Sequence, residues 1–223
     1  MSGDPKNKKK ARVCGMTPYS GPAWGFDLTA SCPMSWRMKA EELRRAADVL
    51  WHVFLMDMKD VQEFSEIARS DPDPRRQLPY RPSVVDPFML LAGLGIENAL
   101  KGFLVARRPE CVSRGKLRGK IITSHDLVRL AREAGVTLSD DEEQVCRLAT
   151  SAVEGWGRYP IPRNMSKMKG EISVGGQAYA VYSALVDRLL GDLEREIHRW
   201  AEKPRKSGPS EESSLDTSGL GPG

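Results

Sequence analysis

Apolar residues recur in steps of three and four in five separate stretches of this chain, and that rhythm limits it to a packed set of amphipathic helices. The longest stretch starts near Ser35, a plausible N-cap, and runs to about Ala68. Leu43, Ala47, Leu50, Phe54, Met58, Val61 and Phe64 place one apolar face along it. Asp71-Pro72-Asp73-Pro74 ends it, because proline lacks the N–H a helix needs and turns the preceding residue away from helical geometry. A second helix opens at Asp86-Pro87, a cap followed by proline in the first turn, and ends near Arg107. Met89, Gly93, Ile96, Leu100 and Phe103 form its stripe. A short third helix runs from about Ser124, its expected cap, to Ala134, with Gly135 as the stop. The fourth opens on Ser139-Asp140-Asp141-Glu142, a capping box with acid where the helix dipole favours it. Val145, Leu148, Ala152 and Trp156 form its stripe. The fifth spans roughly 177–203, where Tyr179, Tyr182, Val186, Leu189, Leu193, Ile197 and Trp200 keep the same period.

Outside these stretches the period is lost. Residues 1–34 are rich in Gly, Pro, Ser and Lys and read as a basic, poorly structured segment, although Tyr19, Trp24 and Phe26 could dock it on the body. Residues 204–223 read as a disordered tail. The expected organisation is therefore one helical domain over 35–203 with disordered termini, within a chain of 223 residues. Residues 120–123 and 171–174 are the only short strand candidates, and isolated pairs of that size are marginal. No internal repeat is visible. No long uninterrupted apolar run and no secretory h-region are visible either, so the expected setting is cytoplasmic, away from a membrane.

Four cysteines at 14, 32, 111 and 146 form no Cys-x-x-Cys pair, and no histidine pair has zinc-ligand spacing. Free thiols, no metal and no cofactor are expected. The net charge is only +4, but it is unevenly spread. Lys6, Lys8, Lys9, Lys10 and Arg12 crowd the N-terminus, and Arg107, Arg108, Arg114, Lys116, Arg118 and Lys120 form a second basic run. Such clusters suit a phosphate-rich partner, or are solvated charged segments with no partner.

Sequential helices with modest connections predict an all-α fold, an antiparallel four- to five-helix up-down bundle. In strict alternation the end of the second helix, the start of the third and the end of the fourth share one pole. The basic 107–120 run, His125 and the 158–163 segment would then converge, provided the third helix is long enough to reverse the chain.

Three segments carry a resemblance. Ile96-Glu97-Asn98-Ala99-Leu100-Lys101-Gly102-Phe103-Leu104 looks like an E-x-A-L-K helix, Ser124-His125-Asp126-Leu127-Val128-Arg129-Leu130 like an H-D-L-x-x-L element, and Gly157-Arg158-Tyr159-Pro160 like an R-Y-P signature. In this order they resemble HEPN domains, the higher eukaryote and prokaryote nucleotide-binding helical domains, of the type associated with minimal nucleotidyltransferases. The resemblance covers about residues 38–203. It implies a helical bundle, often a homodimer, that cleaves RNA, binds nucleotides, or partners a nucleotidyltransferase in toxin–antitoxin or defence modules. Ribonuclease members carry an Arg followed four to six residues later by His. Here Arg158 leads only to Tyr159, Pro160, Ile161, Pro162, Arg163 and Asn164, so the usual Arg/His pair is incomplete.

Arg158 heads the candidate site residues. A guanidinium grips phosphate in a bidentate fork, while the alternative is a structural arginine capping the end of the fourth helix. Tyr159, Arg163, Asn164 and Lys167, with Lys116, Arg118 and Lys120, could extend a phosphate-binding surface. His125 is the candidate acid or base, set against a plain turn-and-cap role. Glu97 and Lys101, an i,i+4 pair, and Asp126 are expected to support the site structurally. Three readings stand: an RNA- or nucleotide-binding domain with possible ribonuclease activity, a non-catalytic module partnering a nucleotidyltransferase, and a small-ligand-binding helical sensor.

Overall fold

The computed structural model describes residues 23–71, 81–113, 116–158 and 174–202. It is mainly helical. The elements are α1 (Ala23–Ala30), α2 (Pro33–Ser70), α3 (Val85–Arg107), a 3-10 turn (Pro109–Cys111), β1 (Val112–Ser113), β2 (Lys116–Leu117), α4 (Leu127–Glu133), α5 (Asp140–Ser151) continuing as a π-helical turn (Ala152–Trp156), and α6 (Gly176–Glu202).

α3 is the spine. Fifteen of its residues are buried, on every side. It is long and apolar enough to cross a membrane by length and composition, which the sequence reading did not anticipate, and 78% of its most apolar window is buried within the protein. A helix apolar all round must be covered all round. α2, α4, α5 and α6 provide that cover. Methyl groups added at two glycines would show how close the neighbours come. At Gly93 one would lie 2.7 Å from Val153 Cγ2 and 3.0 Å from the Ala149 carbonyl, and at Gly102 one would lie 2.7 Å from Leu193 Cδ2.

The contacts fix the chain directions. α2 runs against α3, since Trp36 lies near Gly102 and Trp51 packs on Phe88, ring centroids 5.3 Å apart. α6 runs with α3: Tyr182 meets Phe88 edge-on at 5.6 Å, and Glu196 pairs with Arg107 at 3.3 Å. α5 runs against α3, with Ala149 beside Gly93 and Gly157 beside Leu90. α4 breaks the alternation. Its C-terminal end lies at Arg107 and Arg108, which bond the Ala134 carbonyl and Glu133 respectively, so it runs with α3.

Several local expectations are met and others are refined. Ser139 and Glu142 form the reciprocal capping box of α5. Gly135 takes φ +66°, and the Val136 N–H donates to the Ala131 carbonyl at 2.8 Å, closing α4. The cap that opens α4 is Asp126, not Ser124; its Oδ1 accepts the Arg129 N–H at 3.0 Å. Part of the segment read as poorly structured forms α1, tied down by Trp36 Nε1 donating to the Ala30 carbonyl at 2.8 Å. Strand structure is confined, among the described residues, to the β1–β2 hairpin; residues 120–123 form a turn. Cys111 and Cys146 are free thiols, but Cys32 is disulfide-bonded, against the expectation of free cysteines throughout.

The apolar stripe of α2 is only half used. Ala47 and Trp51 are buried and Leu50 and Phe54 pack on the core, but Met58 is 50% and Val61 37% exposed. Met58 and Val61 lie beyond the level at which Phe88 meets Trp51, and they stay largely uncovered. A second apolar set, Val49, Val53, Met56 and Ile67, is exposed as well.

Gly93→Ala is expected to lose about 1–3 kcal/mol of stability in chemical denaturation, the usual cost of overpacking a close contact. Gly191→Ala, whose methyl would meet only Arg195 Nη1 at 3.8 Å, is expected to gain about 0.5–1 kcal/mol from helix propensity alone.

Candidate functional site

Two charged residues interrupt the apolar surface of α3. Glu97 and Lys101 are 5% and 6% exposed. Burial makes each charge costly unless it is paired and hydrogen-bonded. Lys101 Nζ donates to Glu97 Oε1 at 2.7 Å, one helical turn away. The other carboxylate oxygen, Oε2, lies 2.8 Å from His125 Nδ1. One buried carboxylate thus holds a lysine from its own helix and a histidine from the loop before α4.

That geometry sets the chemistry of the imidazole. An ionised carboxylate can only accept hydrogen bonds, so Nδ1 carries the proton. In neutral His125 the free lone pair then sits on Nε2. The His125 side chain is 41% exposed while that of Glu97 is 6% exposed. The ring is therefore anchored from inside and open to an incoming group. An accessible imidazole oriented by a carboxylate behind it is a geometry that general acid–base chemistry can use.

The loop is held firmly. Ile122 is fully buried, and the Ser124 N–H donates to the Ile121 carbonyl at 2.9 Å. Ser124 Oγ accepts the Asp126 N–H at 3.1 Å. The Leu127 N–H donates to Thr150 Oγ1 at 3.1 Å, which ties the start of α4 to α5. Asp126, the α4 cap, thus fixes the residue next to His125.

Arg158 follows the π-helical turn, with its N–H donating to the Gly155 carbonyl at 3.0 Å. Its side chain is exposed and has no carboxylate partner among the described residues. Gly157 lies against Leu90, where an added methyl would sit 3.0 Å from Leu90 Cβ. Glu97 is seven residues beyond Leu90 on nearly the same face of α3, about 10 Å along the axis. Arg158 and His125 therefore flank one side of the spine, some two turns apart.

Arg107 and Arg108, the start of the basic 107–120 run, do not converge on Arg158, and Arg114 lies outside the described residues. The run begins at Arg107 and Arg108, seventeen residues beyond Leu90, about 25 Å of helix away. α4 is only two turns long and runs with α3, so the chain has already travelled back to Glu97 before α4 starts. Lys116, Arg118 and Lys120 are exposed in and after β2, on the segment that leads from that far end to the His125 loop. Tyr159, Arg163, Asn164, Lys167 and most of the 161–176 connection lie outside the described residues.

The Glu97–His125 bond was not foreseen from sequence, since 28 residues separate the two. Its trace was the occurrence of Glu97 and Lys101 within an otherwise apolar helix. Arg129, Arg132 and Arg147, which line a groove beside Asp126, were also missed. Among the described residues no group of three His, Cys, Asp or Glu side chains has a metal-binding arrangement.

Glu97→Ala leaves the Lys101 ammonium buried without its partner and is expected to cost about 3–5 kcal/mol in denaturation experiments. His125→Ala, which leaves Glu97 still paired with Lys101, is expected to cost about 1.5–3 kcal/mol. Comparison with family models, curated proteins and solved structures finds no match to this chain.

Proposed function

We propose that the protein is a HEPN-type helical bundle that binds RNA along the side of α3 bearing His125 and Arg158, and that His125 serves it as acid or base. The observation that carries this reading is the Glu97–His125 hydrogen bond, which orients an accessible imidazole from a buried carboxylate. A structural histidine needs no open edge; this one has its partner inside and its second nitrogen free of any protein bond among the described residues.

The reaction that suits these groups is intramolecular transesterification of RNA. His125 Nε2 takes the proton of a 2′-hydroxyl, and the 2′ oxygen forms a bond to phosphorus as the bond from phosphorus to the 5′ oxygen breaks. The products are a 2′,3′-cyclic phosphate and a strand whose 5′ oxygen acquires a proton from solvent. Arg158 binds phosphate charge in this scheme, adjacent along the strand. A nucleotide would meet the same cation and imidazole.

A protein partner is the second reading, and the exposed apolar residues of α2 favour it. Val49, Val53, Met56 and Ile67 leave a stripe that a second copy, as a homodimer, or a nucleotidyltransferase could cover.

RNA affinity is expected to fall linearly on a log–log plot against salt; absence of binding at low salt removes the RNA reading. Product analysis on a ribonucleotide and the matching 2′-deoxy substrate tests the chemistry. Cleavage of the ribose substrate alone is expected, and turnover that persists in His125→Ala with Arg158→Ala eliminates the mechanism.

A further inference from the structure

We infer that the groove between α4 and α5 is a second phosphate-binding site, which holds the RNA strand whose reacting linkage lies at His125. The inference rests on the RNA reading above and adds a location for the strand. The groove has a volume of about 540 Å³, within the range of ordinary ligand pockets. Asp126, the residue after His125, lines one end of it.

Three arginines and three acids face the groove: Arg129, Arg132 and Arg147 with Asp126, Glu133 and Glu143. Their engagements differ. Glu143 pairs with Arg147 at 2.8 Å, and Glu133 pairs with Arg108 at 3.2 Å. Asp126 is committed to capping α4. Arg129 and Arg132 are both exposed, and neither has a carboxylate within ion-pair distance among the described residues. The acids are thus largely occupied, and two guanidinium groups remain for an outside anion.

Their spacing points the same way. Arg129 and Arg132 stand at i and i+3 on α4, hence on one side of it. They stand two and five residues beyond Leu127, the first helical residue of α4, or roughly 3 and 7.5 Å along its axis from the end that carries the His125 loop. Guanidinium groups bind phosphate through paired N–H donors, so this pair suits one or two phosphates next to the linkage at the imidazole. Arg158 lies on the opposite side of His125 along α3, so a strand bound to both would cross the imidazole.

The test is the salt dependence of binding of a short fluorescent single-stranded oligoribonucleotide to the full chain. Each phosphate contact on single strands contributes a log–log slope of about 0.7, so Arg129→Ala with Arg132→Ala is expected to make the slope shallower by about 1.4. Arg129→Lys with Arg132→Lys keeps the charges and should retain most of the slope. Arg195→Ala with Arg199→Ala removes two exposed arginines of α6 and should leave it unchanged; an equal loss there would mean only a general charge effect and would overturn the site. If the wild type binds and the Arg129/Arg132 variants keep its slope, the groove inference is wrong and the RNA reading stands. If the wild type does not bind at low salt, both fail, and a protein partner becomes the occupant to seek. Single Arg129→Gln and Arg132→Gln variants read the same slope should the double variant fail to fold.

Discussion

Everything in this fold depends on hiding α3. Its buried residues lie on all sides, and no single neighbour could remove them from water. Burying a large aliphatic or aromatic side chain contributes on the order of 1.5–3 kcal/mol, so covering this helix is the dominant drive available to the chain. α2, α5 and α6 each lay an apolar stripe against it, and the short α4 fills the remaining gap. Gly93 and Gly102 let the neighbours come close. The aromatic group of Trp51, Phe88, Tyr179 and Tyr182 closes one end, with Trp51 and Tyr179 stacked at 4.6 Å.

The same constraint gives the Glu97 carboxylate its character. On a surface helix, Glu97 and Lys101 would be a solvated i,i+4 pair contributing a few tenths of a kcal/mol. Inside α3 the pair is shielded from water and cannot be left half made. The second oxygen of Glu97 needs a donor too, and His125 supplies it. Packing that serves stability therefore also orients an imidazole, and the ring remains accessible because it approaches from the loop before α4. Buried thiol chemistry takes no part in this: burial pushes Cys146 up to about 12, which keeps it protonated at neutral pH.

α2 shows the opposite situation. Its first half is anchored by Ala40, Ala47 and Trp51, with Arg44–Asp187 and Arg37–Glu194 ion pairs to α6 at its side. Its second half carries the same apolar period, but past Phe54 the period runs into exposed Met58 and Val61. Arg81 returns to pair with Asp57 and Asp60 at 2.7 Å, holding the start of the next segment near it. Periodicity alone marks which face of a helix is apolar; it carries no information about whether anything arrives to cover that face.

The sequence by itself determined the helices, because their signals are local. The 3.6-residue period, the Ser139–Glu142 capping box, Gly135 and the prolines after residue 71 act within a few residues of chain. It also singled out Glu97 and Lys101 as a supporting i,i+4 pair and His125 as a candidate acid or base. Tertiary structure alone decided how they relate. The bond from His125 to Glu97, the direction of α4, the separation of Arg158 from Arg107 and Arg108 and the opening of the α4–α5 groove all depend on which face of α3 each neighbour covers. Alternation of helix directions was the sequence-level guide to that arrangement, and it failed at α4. A two-turn helix follows whatever path its flanking loops and its few buried side chains, Leu127, Leu130 and Ala131, find along the spine.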